Sequence, residues 1–296
     1  MSIKKYETLL KTVDLGSLTK ASEVLGYTQS AISHIISGLE DEMGLRLLIR
    51  DRSGVRLTEE GKRILPAVRA VCQANQEMHR QVSEIHGLEV GVIRVGTFLS
   101  VSVHILPNLI ARFSALHPNL EFELLQGSCG EIERWIGEGR IDCGFVSLPT
   151  NQALETIPVL EERILAVFPE GREPALRQGR FPVENIREEA FILRPDALET
   201  GLRTLLKEAC CKPKITYSAK DDLAVMTMVE QGLGMSILPE LLLRGNGRLR
   251  AAELDPPAHR KICVAYKDPH ILCPAARQFV NFVREEINKI NLHENI

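Results

Sequence analysis

The chain lacks any apolar run long enough to cross a membrane, and it lacks the residue spacings of common metal and catalytic sites. No pair of histidines has the spacing of a zinc protease, and no glycine-rich segment matches a nucleotide-binding loop. The sequence at 127–130, Gly-Ser-Cys-Gly, also differs from the turn that carries the serine nucleophile of many hydrolases. We therefore expect a protein that is not an enzyme, has no metal site or cofactor, and does not enter a membrane.

The seven cysteines show no metal-ligand spacing, and an odd number of scattered cysteines is typical of free thiols in a reducing compartment. The first seven residues carry charges, and no apolar segment of a signal peptide follows them. These two features predict a cytoplasmic protein.

Two stripes of side chains run along residues 28–44 at helical spacing. The apolar stripe falls at i, i+3, i+4 and i+7 and consists of Ile32, Ile35, Ile36 and Leu39. Short polar side chains, which can enter the major groove of DNA and bind base edges or phosphates, fill the other side. These candidate DNA-binding residues are Thr28, which is also a good N-cap, and Gln29, Ser30, Ser33, His34 and Ser37.

Two earlier apolar stripes, in residues 6–13 and 18–25, predict two helices before this one. Ser17 is a suitable N-cap for the second helix, and only a Gly-Tyr pair separates that helix from Thr28. A short glycine-containing turn between two helices, the second with a polar exposed face, indicates a helix-turn-helix motif. A small helical bundle with a polar outer face is the alternative.

Residues 45–62 predict a β-hairpin, with two apolar runs flanking a turn that contains Gly54. Charges in residues 1–62 cancel, with nine basic and nine acidic side chains. This segment therefore has no net positive charge that would indicate DNA binding. The arginines are instead concentrated on the hairpin, which would lie beside the DNA backbone as a wing. We expect phosphate contacts from Ser30, Arg50, Arg52 and Arg56, and base contacts from Gln29, Ser33 and His34.

A heptad pattern follows the hairpin. Seven positions step alternately by four and three residues: Ile64, Val68, Val71, Asn75, Met78, Val82 and Ile85. Such a seam predicts a long helix that pairs with the same helix of a second copy, and Asn75 at an a position would fix the register. An amphipathic helix packed on its own domain is the alternative.

Short apolar strands alternate with helices after residue 88, which predicts parallel β-sheets with helical crossovers. A segment of about 200 residues can hold two such subdomains with a cleft between them.

The sequence resembles the LysR-type transcriptional regulators along essentially its whole length. In the N-terminal part the resemblance is carried by Gly16-Ser17, Ala21, Leu25, residues 29–33, Ile36, Leu39-Glu40, Gly44, Leu47, Arg50 and residues 57–61. In the remainder it is carried by Leu106-Pro107, His117-Pro118, residues 139–142 and residues 232–239. Three positions, His34, Ser37 and Leu48, differ from the residues that are frequent in the family.

The resemblance implies an α/β protein in three parts. These are a winged helix-turn-helix domain at 1–62, a linker and dimerisation helix at 58–88, and an effector-binding domain at 89–296. The last part would have the two-lobed fold of type 2 periplasmic binding proteins, with lobe I at about 89–162 and 268–296 and lobe II at about 163–267.

The resemblance also implies a function. The chain would bind double-stranded promoter DNA as a dimer or tetramer, be switched by a small-molecule effector, and have RNA polymerase as a further partner. A cytoplasmic small-molecule binding protein without a transcriptional role is one alternative. A thiol-based redox sensor is another, with Cys129 as the candidate thiol near the expected pocket.

We expect the effector site where the strand ending at residue 96 meets the next helix, because open α/β sheets bind ligands at the carboxyl ends of their strands. A helix N-terminus there favours an anionic group such as a carboxylate. By position, Ser100 corresponds to an effector-contacting hydroxyl in the family that the sequence resembles. The expected lining is Thr97, Phe98, Ser100, Ser102, Ser128, Ser147, Ile192, Arg194 and Met235.

Overall fold

The structure is a computed structural model that describes residues 2–51, 54–85, 91–195, 202–270 and 272–293. The chain divides into two compact units. The first consists of residues 1–92 with the short segments 119–121 and 137–141, and the second contains the rest. Arg52 and the predicted domain boundary at 88/89 lie outside the described residues. Within the described residues, no helix is long and apolar enough to cross a membrane.

The first unit is a winged helix-turn-helix followed by a long helix, as the sequence predicts. Its elements are α1 (Ile3–Leu15), α2 (Leu18–Leu25), α3 (Gln29–Met43), β1 (Leu48–Asp51), β2 (Gly54–Leu57) and α4 (Glu59–Ile85). The predicted caps are present, because the Ser17 hydroxyl accepts a hydrogen bond from the Lys20 N–H and the Thr28 hydroxyl accepts one from the Ala31 N–H.

The wing is fixed to the first helix by a close backbone contact. The Val55 N–H donates to the Gly16 carbonyl oxygen over 2.9 Å. A Cβ atom at Gly54 would lie 2.6 Å from that same oxygen, and Gly54 has a φ of 124°, which side-chain-bearing residues rarely adopt. Glycine is therefore required at position 54, the first residue of β2.

The core of this unit is apolar and includes part of the predicted heptad seam. Leu9, Ile32 and Ile36 are fully buried, and Val68 of α4 is 3% exposed among them, with Ile64 packed against the same cluster. This corrects the prediction for Val68, which packs inside its own domain and is closed to a partner. The alternative of an amphipathic helix packed on its own domain thus applies to the first turns of α4.

The second unit alternates strands and helices. Its strands are β3 (Gly91–Thr97), β4 (Leu120–Gln126), β5 (Cys143–Ser147), β6 (Glu155–Pro169), β7 (Phe181–Pro182), β8 (Ala190–Leu193), β9 (Lys214–Ser218), β10 (Ser236–Pro239) and β11 (Leu249–Tyr266). Its helices are α5 (Leu99–His104), α6 (Leu106–Leu116), α7 (Cys129–Gly137), α8 (Leu202–Glu208), α9 (Asp222–Glu230) and α10 (Pro274–His293), with short 3₁₀ segments at Val183–Glu188 and Glu240–Leu243.

Most strands join one mixed sheet in the order β10-β6-β11-β5-β3-β4, and β7 pairs with β11. The strands β3 and β5 are parallel, as predicted, and so are β8 and β9 in a separate two-stranded sheet. The long strands β6 and β11 are antiparallel to each other, which the prediction of parallel sheets did not include. They lie in the middle of the strand order and connect its two halves, because β6 also pairs with β10 and β11 also pairs with β5.

The strand β11 pairs with strands from both predicted lobes. Residues 262–265 of this strand pair with β5, on the side of the sheet that holds β3 and β4, whereas Leu254 and Asp255 pair with β7. The sequence-based prediction places all of 163–267 in lobe II, and these lobe bounds stay a prediction. The register of β11 against β6 shifts between Glu253 and Ala258.

Candidate functional site

The polar face of α3 forms one wall of a concave surface on the first unit. Gln29, Ser30 and His34 are exposed there, and Ser33 and Ser37 are half-buried. The other walls come from the start of α2 and from the wing, and they enclose about 710 Å³. The lining residues are Ser17, Leu18, Thr19, Gln29, Ser30, Ser33, Arg50, Asp51, Gly54 and Val55.

Arg50 of β1 reaches across to α3. Its Nη1 donates to the Ser33 hydroxyl over 2.6 Å, and its Nη2 donates to the Ser37 hydroxyl over 3.4 Å. The Ser33 side chain, which was expected to read a base edge, is thus already bound within the protein. Arg50 and the recognition helix α3 present a joint surface.

Glu40 is a buried carboxylate at the junction of α3 and the wing. It accepts hydrogen bonds from the N–H groups of Leu47 and Leu48 over 2.7 and 3.1 Å, and its Oε2 lies 3.8 Å from Nη2 of Arg50. Glu40 is not among the DNA-binding residues predicted from the sequence. A signal was present, because Glu40 falls one position after Leu39 and therefore continues the buried stripe of α3.

Among the described residues of the wing region, Arg46 and Arg56 are exposed. Arg56 pairs with Asp51 across the hairpin, and Arg46 is 78% exposed beside the buried Glu40. Because ion pairs between exposed side chains are weak, the Arg56 guanidinium can exchange Asp51 for a phosphate at little cost.

A second cluster of polar groups lies in the second unit, around the start of α5. Arg260 of β11 is opposite Glu162 of β6 in the strand register, and its Nε and Nη2 both lie 2.5 Å from Oε1 of Glu162. Nη2 of Arg260 also donates to the Ser100 hydroxyl over 2.8 Å, and the guanidinium stacks on the ring of Phe98 at 4.8 Å. Glu162 is further bound by the Leu241 N–H over 2.9 Å.

Cys129, Ser147 and Arg194 belong to the same region. Burial raises the pKa of the Cys129 thiol, although Arg260, a hydrogen bond from the Ser147 backbone and Arg194 act in the opposite direction. Arg194 pairs with Asp222 over 3.1 Å, and both side chains are nearly buried. The Ser147 hydroxyl and Nε of Arg194 are buried without a hydrogen-bond partner in the described structure.

The other residues expected to line the cleft have different environments. The Thr97 side chain is buried at the end of β3, and the Ser102 hydroxyl donates to the Leu99 carbonyl oxygen. Ser128 forms a capping box with Glu131, whose carboxylate accepts from both the N–H and the hydroxyl of Ser128. That carboxylate lies at the N-terminus of α7, so the Ser128 hydroxyl is already bound within the protein.

Ile192 and Met235 do not line the cleft. Ile192 is fully buried with Val225 and Val229, and Met235 is 1% exposed against Phe191. Their side chains fill the apolar core between β8 and the neighbouring elements. The prediction for these two residues is therefore wrong, because strand position alone does not show which side of a strand faces the ligand.

Arg260 and Glu162 are absent from the residues predicted for the site from the sequence. The two residues are 98 positions apart, and each stands in a run of charged residues that resembles an exposed strand. Only the register of β6 against β11 shows that they are opposite each other and buried. Among the described residues, no group of three or more His, Cys, Asp or Glu side chains could hold a metal ion.

The farther part of α4 remains open. Val71, Met78 and Val82 are 44–53% exposed on the single chain, and Asn75 is half-buried. The side chain of Ile85 lies outside the described part of the helix. Val71, Met78 and Val82 are thus apolar and accessible positions of the seam.

A winged helix-turn-helix joined to a ligand-binding α/β unit defines a DNA-binding transcriptional regulator with an effector-binding domain. Comparison with known families agrees, because the model described as "Bacterial regulatory helix-turn-helix protein, lysR family" matches residues 3–62. The model for the LysR substrate binding domain matches residues 86–288. The chain belongs to the LysR family of transcriptional regulators.

Individual relatives cover nearly the whole chain. The uncharacterized HTH-type transcriptional regulator YvbU of Bacillus subtilis (strain 168) is 29% identical over 96% of this chain and 98% of its own. Full-length OxyR of Pseudomonas aeruginosa has a similar structure, with a TM-score of 0.70 at 19% identity over 97% of this chain and 94% of its own. Full-length CbnR, solved in complex with its target DNA, has a TM-score of 0.64 at 20% identity over 96% and 99% of the two chains. These two structures show a shared fold.

Proposed function

We propose that this regulator binds promoter DNA as a dimer through the α3 face of two copies and responds to a small anionic molecule bound near Ser147 and Arg194. The observation that carries the second part is the presence of two buried donors, the Ser147 hydroxyl and Nε of Arg194, that have no partner among the described residues. Buried polar groups normally have partners, so such groups in a binding domain are candidates for ligand contacts.

At the DNA surface, Gln29 and His34 are the exposed side chains of α3 that can reach base edges. Ser30 and Arg56 can hold phosphates, since Ser30 lines the concave surface and Arg56 is exposed on the wing. The solved complex of CbnR with its target DNA supports DNA as the partner of this part of the fold. RNA polymerase would be a further partner at the promoter.

The ligand is an anion because the donors that face the cluster belong to guanidinium and hydroxyl groups. Arg194 and Arg260 each hold a carboxylate of the protein, so the cluster is close to neutral without a ligand. One carboxylate of a ligand can accept from Nε of Arg194 and from the Ser147 hydroxyl together, which is a charge-assisted contact. If the ligand binds one arrangement of the effector-binding domain more tightly than another, it shifts the population towards that arrangement and so changes promoter binding.

A thiol-based switch at Cys129 receives less support. The nucleophilic form of cysteine is the thiolate, and burial raises the pKa of Cys129, so the unreactive thiol prevails at neutral pH. A small-molecule binding protein without a transcriptional role does not account for the family match of residues 3–62.

The test begins with a thermal-shift screen of small carboxylates on the full chain, followed by calorimetry on the ligand found. Ser147→Ala should lower the ligand affinity about tenfold, which corresponds to one lost hydrogen bond of about 1.4 kcal/mol, while promoter binding is retained. Thr216→Ala, which removes an exposed hydroxyl from β9, is the matched control and should leave the affinity unchanged. Equal affinity of the Ser147 variant and the wild type would contradict the proposed site.

A further inference from the structure

We propose that Ser33 and Glu40 are positioning residues for Arg50, which they hold at the junction of α3 and the wing so that its guanidinium binds a DNA phosphate. This inference rests on the DNA-binding function proposed above. It changes the role expected of Ser33, from reading a base edge to supporting an arginine.

Arg50 reaches from the wing to α3. The residue lies on β1, yet Nη1 and Nη2 both point to α3, where they donate to the hydroxyls of Ser33 and Ser37. The contact with Ser33 is short, at 2.6 Å, and it links residues 17 positions apart on two different elements. Arg50 therefore fixes the wing to the recognition helix.

Glu40 provides a buried negative charge beside Arg50. The side chain of Glu40 is 2% exposed, and a carboxylate buried this deeply needs compensating donors. The backbone N–H groups of Leu47 and Leu48 supply two, and Arg46 and Arg50 supply positive charge at 3.3 and 3.8 Å. The same carboxylate thus sets the start of β1 and attracts the guanidinium that β1 carries.

The hydrogen bonds that Arg50 makes to α3 limit what it can bind in DNA. Bidentate reading of guanine requires two adjacent N–H donors of one guanidinium, directed at O6 and N7. Ser33 and Ser37 each accept one of the five N–H donors of Arg50 and turn its terminal nitrogens towards α3, and the N–H groups that remain suit a contact to a phosphate oxygen. The side chain is 32% exposed and lines the concave surface beside Gln29 and Ser30, where the DNA backbone can reach it.

A double-mutant cycle tests this assignment on the full-length protein. A genomic fragment selected by the wild type serves as specific DNA, and a random duplex of equal length serves as the reference. Ser33→Ala should weaken binding to both by about two- to tenfold, the range for one hydrogen bond. In the Arg50→Ala background the same substitution should change affinity less than about twofold, because the group it supports is absent.

Salt dependence provides a readout that a purely structural defect would not reproduce. Arg50→Ala should reduce the slope of log affinity against log salt by about one unit, as expected for one lost phosphate contact, and Ser33→Ala should reduce it in part. Gln29→Ala is the matched control from the same surface. Its loss should be equal in the wild-type and Arg50→Ala backgrounds.

Glu40→Gln keeps acceptors for the two backbone N–H groups and removes the charge. It should weaken specific and random DNA alike, at a melting temperature that circular dichroism shows to be close to the wild type. Two results would overturn the inference while leaving the DNA-binding function intact. One is that Ser33→Ala lowers the affinity as much in the Arg50→Ala background as in the wild type. The other is that the affinity falls for specific DNA alone. Failure of the wild type to select any fragment would instead contradict the proposed function itself.

Discussion

The hydrogen bonds that a side chain already makes determine what it can still bind. Ser33, Ser128 and Ser147 look alike in the sequence, as serines near the ends of elements. Ser33 accepts from Arg50, and Ser128 is bound to Glu131 in a capping box. The hydroxyl of Ser147 is buried and has no partner within the described structure. Of the three, Ser147 is the serine whose hydroxyl a ligand would stabilise most, because a buried hydroxyl without a hydrogen bond destabilises the folded protein.

Gln29 should contribute to the choice of DNA sequence. The side chain is exposed at the start of α3, and an amide can pair with the N6 and N7 atoms of adenine. Gln29→Ala should cost roughly 1 to 3 kcal/mol on specific DNA and relax the preference at one base pair. The measurement is a binding titration against fragments substituted at each position. Equal losses on specific and random DNA would show that Gln29 does not read a base.

Gly54 should be sensitive to substitution for reasons of backbone geometry. Gly54→Ala would place a Cβ atom 2.6 Å from the Gly16 carbonyl oxygen at a φ of 124°, so we expect a loss of about 1 to 3 kcal/mol in the stability of the first unit. Gly38→Ala is the matched control, because its Cβ would meet only Nζ of Lys5 at 3.5 Å inside a regular helix. It should be neutral or stabilising by about 0.5 to 1 kcal/mol. Urea unfolding of both variants measures the difference, and equal midpoints would refute this account.

The helices themselves were more predictable from the sequence than the surfaces against which they pack. The helices of the first unit follow from apolar periodicity and from the caps Ser17 and Thr28, which are local signals. The heptad pattern of α4 is equally regular, but periodicity does not state which partner covers it. Val68 packs against the winged helix, whereas Val71 is exposed. The same pattern thus serves two different surfaces along one helix.

The N-terminus of α7 should show a pH-dependent stability. Hydrogen bonds from the Ser128 backbone N–H and hydroxyl lower the pKa of Glu131. Because the folded pKa is below the unfolded value, this stabilisation is present above the unfolded pKa and is lost as the pH falls through the folded pKa. Glu131→Gln should therefore lower the melting temperature at pH 7, and its difference from the wild type should shrink below about pH 4.

Glu121→Gln removes the same charge from an exposed position on β4 and is the control for this measurement. It should change the melting temperature little at either pH. A pH-independent difference between Glu131→Gln and the wild type would show that the cap does not depend on the carboxylate charge.

The polar cluster around Arg260 and Glu162 could be predicted from the sequence only in part. Ser100, Ser147 and Arg194 could be chosen as candidates because they stand at the ends of strands or the starts of helices. Arg260 and Glu162 could not, since they are 98 positions apart and their burial depends on the pairing of β6 with β11. Likewise, only the packing of β8 shows that Ile192 points into the core.

Assembly should depend on the exposed part of α4. Val71, Met78 and Val82 form an apolar stripe that a second copy can cover, and a DNA site with two half-sites requires both copies. Replacing Val71 and Met78 together with Lys should abolish the dimer and with it high-affinity promoter binding, as measured by sedimentation and titration. Ala70→Lys, exposed on the same helix outside the stripe, should remain dimeric. A dimeric double variant would place the interface elsewhere.

The pairing of Arg260 with Glu162 has a consequence for redesign of this regulator. Removing one member of a buried ion pair leaves the other charge uncompensated, which typically costs about 3 to 5 kcal/mol. The two positions can therefore be changed only together, and their partner Ser100 is bound to that pair. If the effector binds where we propose, a library that seeks a new effector should keep 162 and 260 fixed and vary Ser147 and the environment of Arg194. Specificity can change there without loss of the strands that connect the two halves of the sheet.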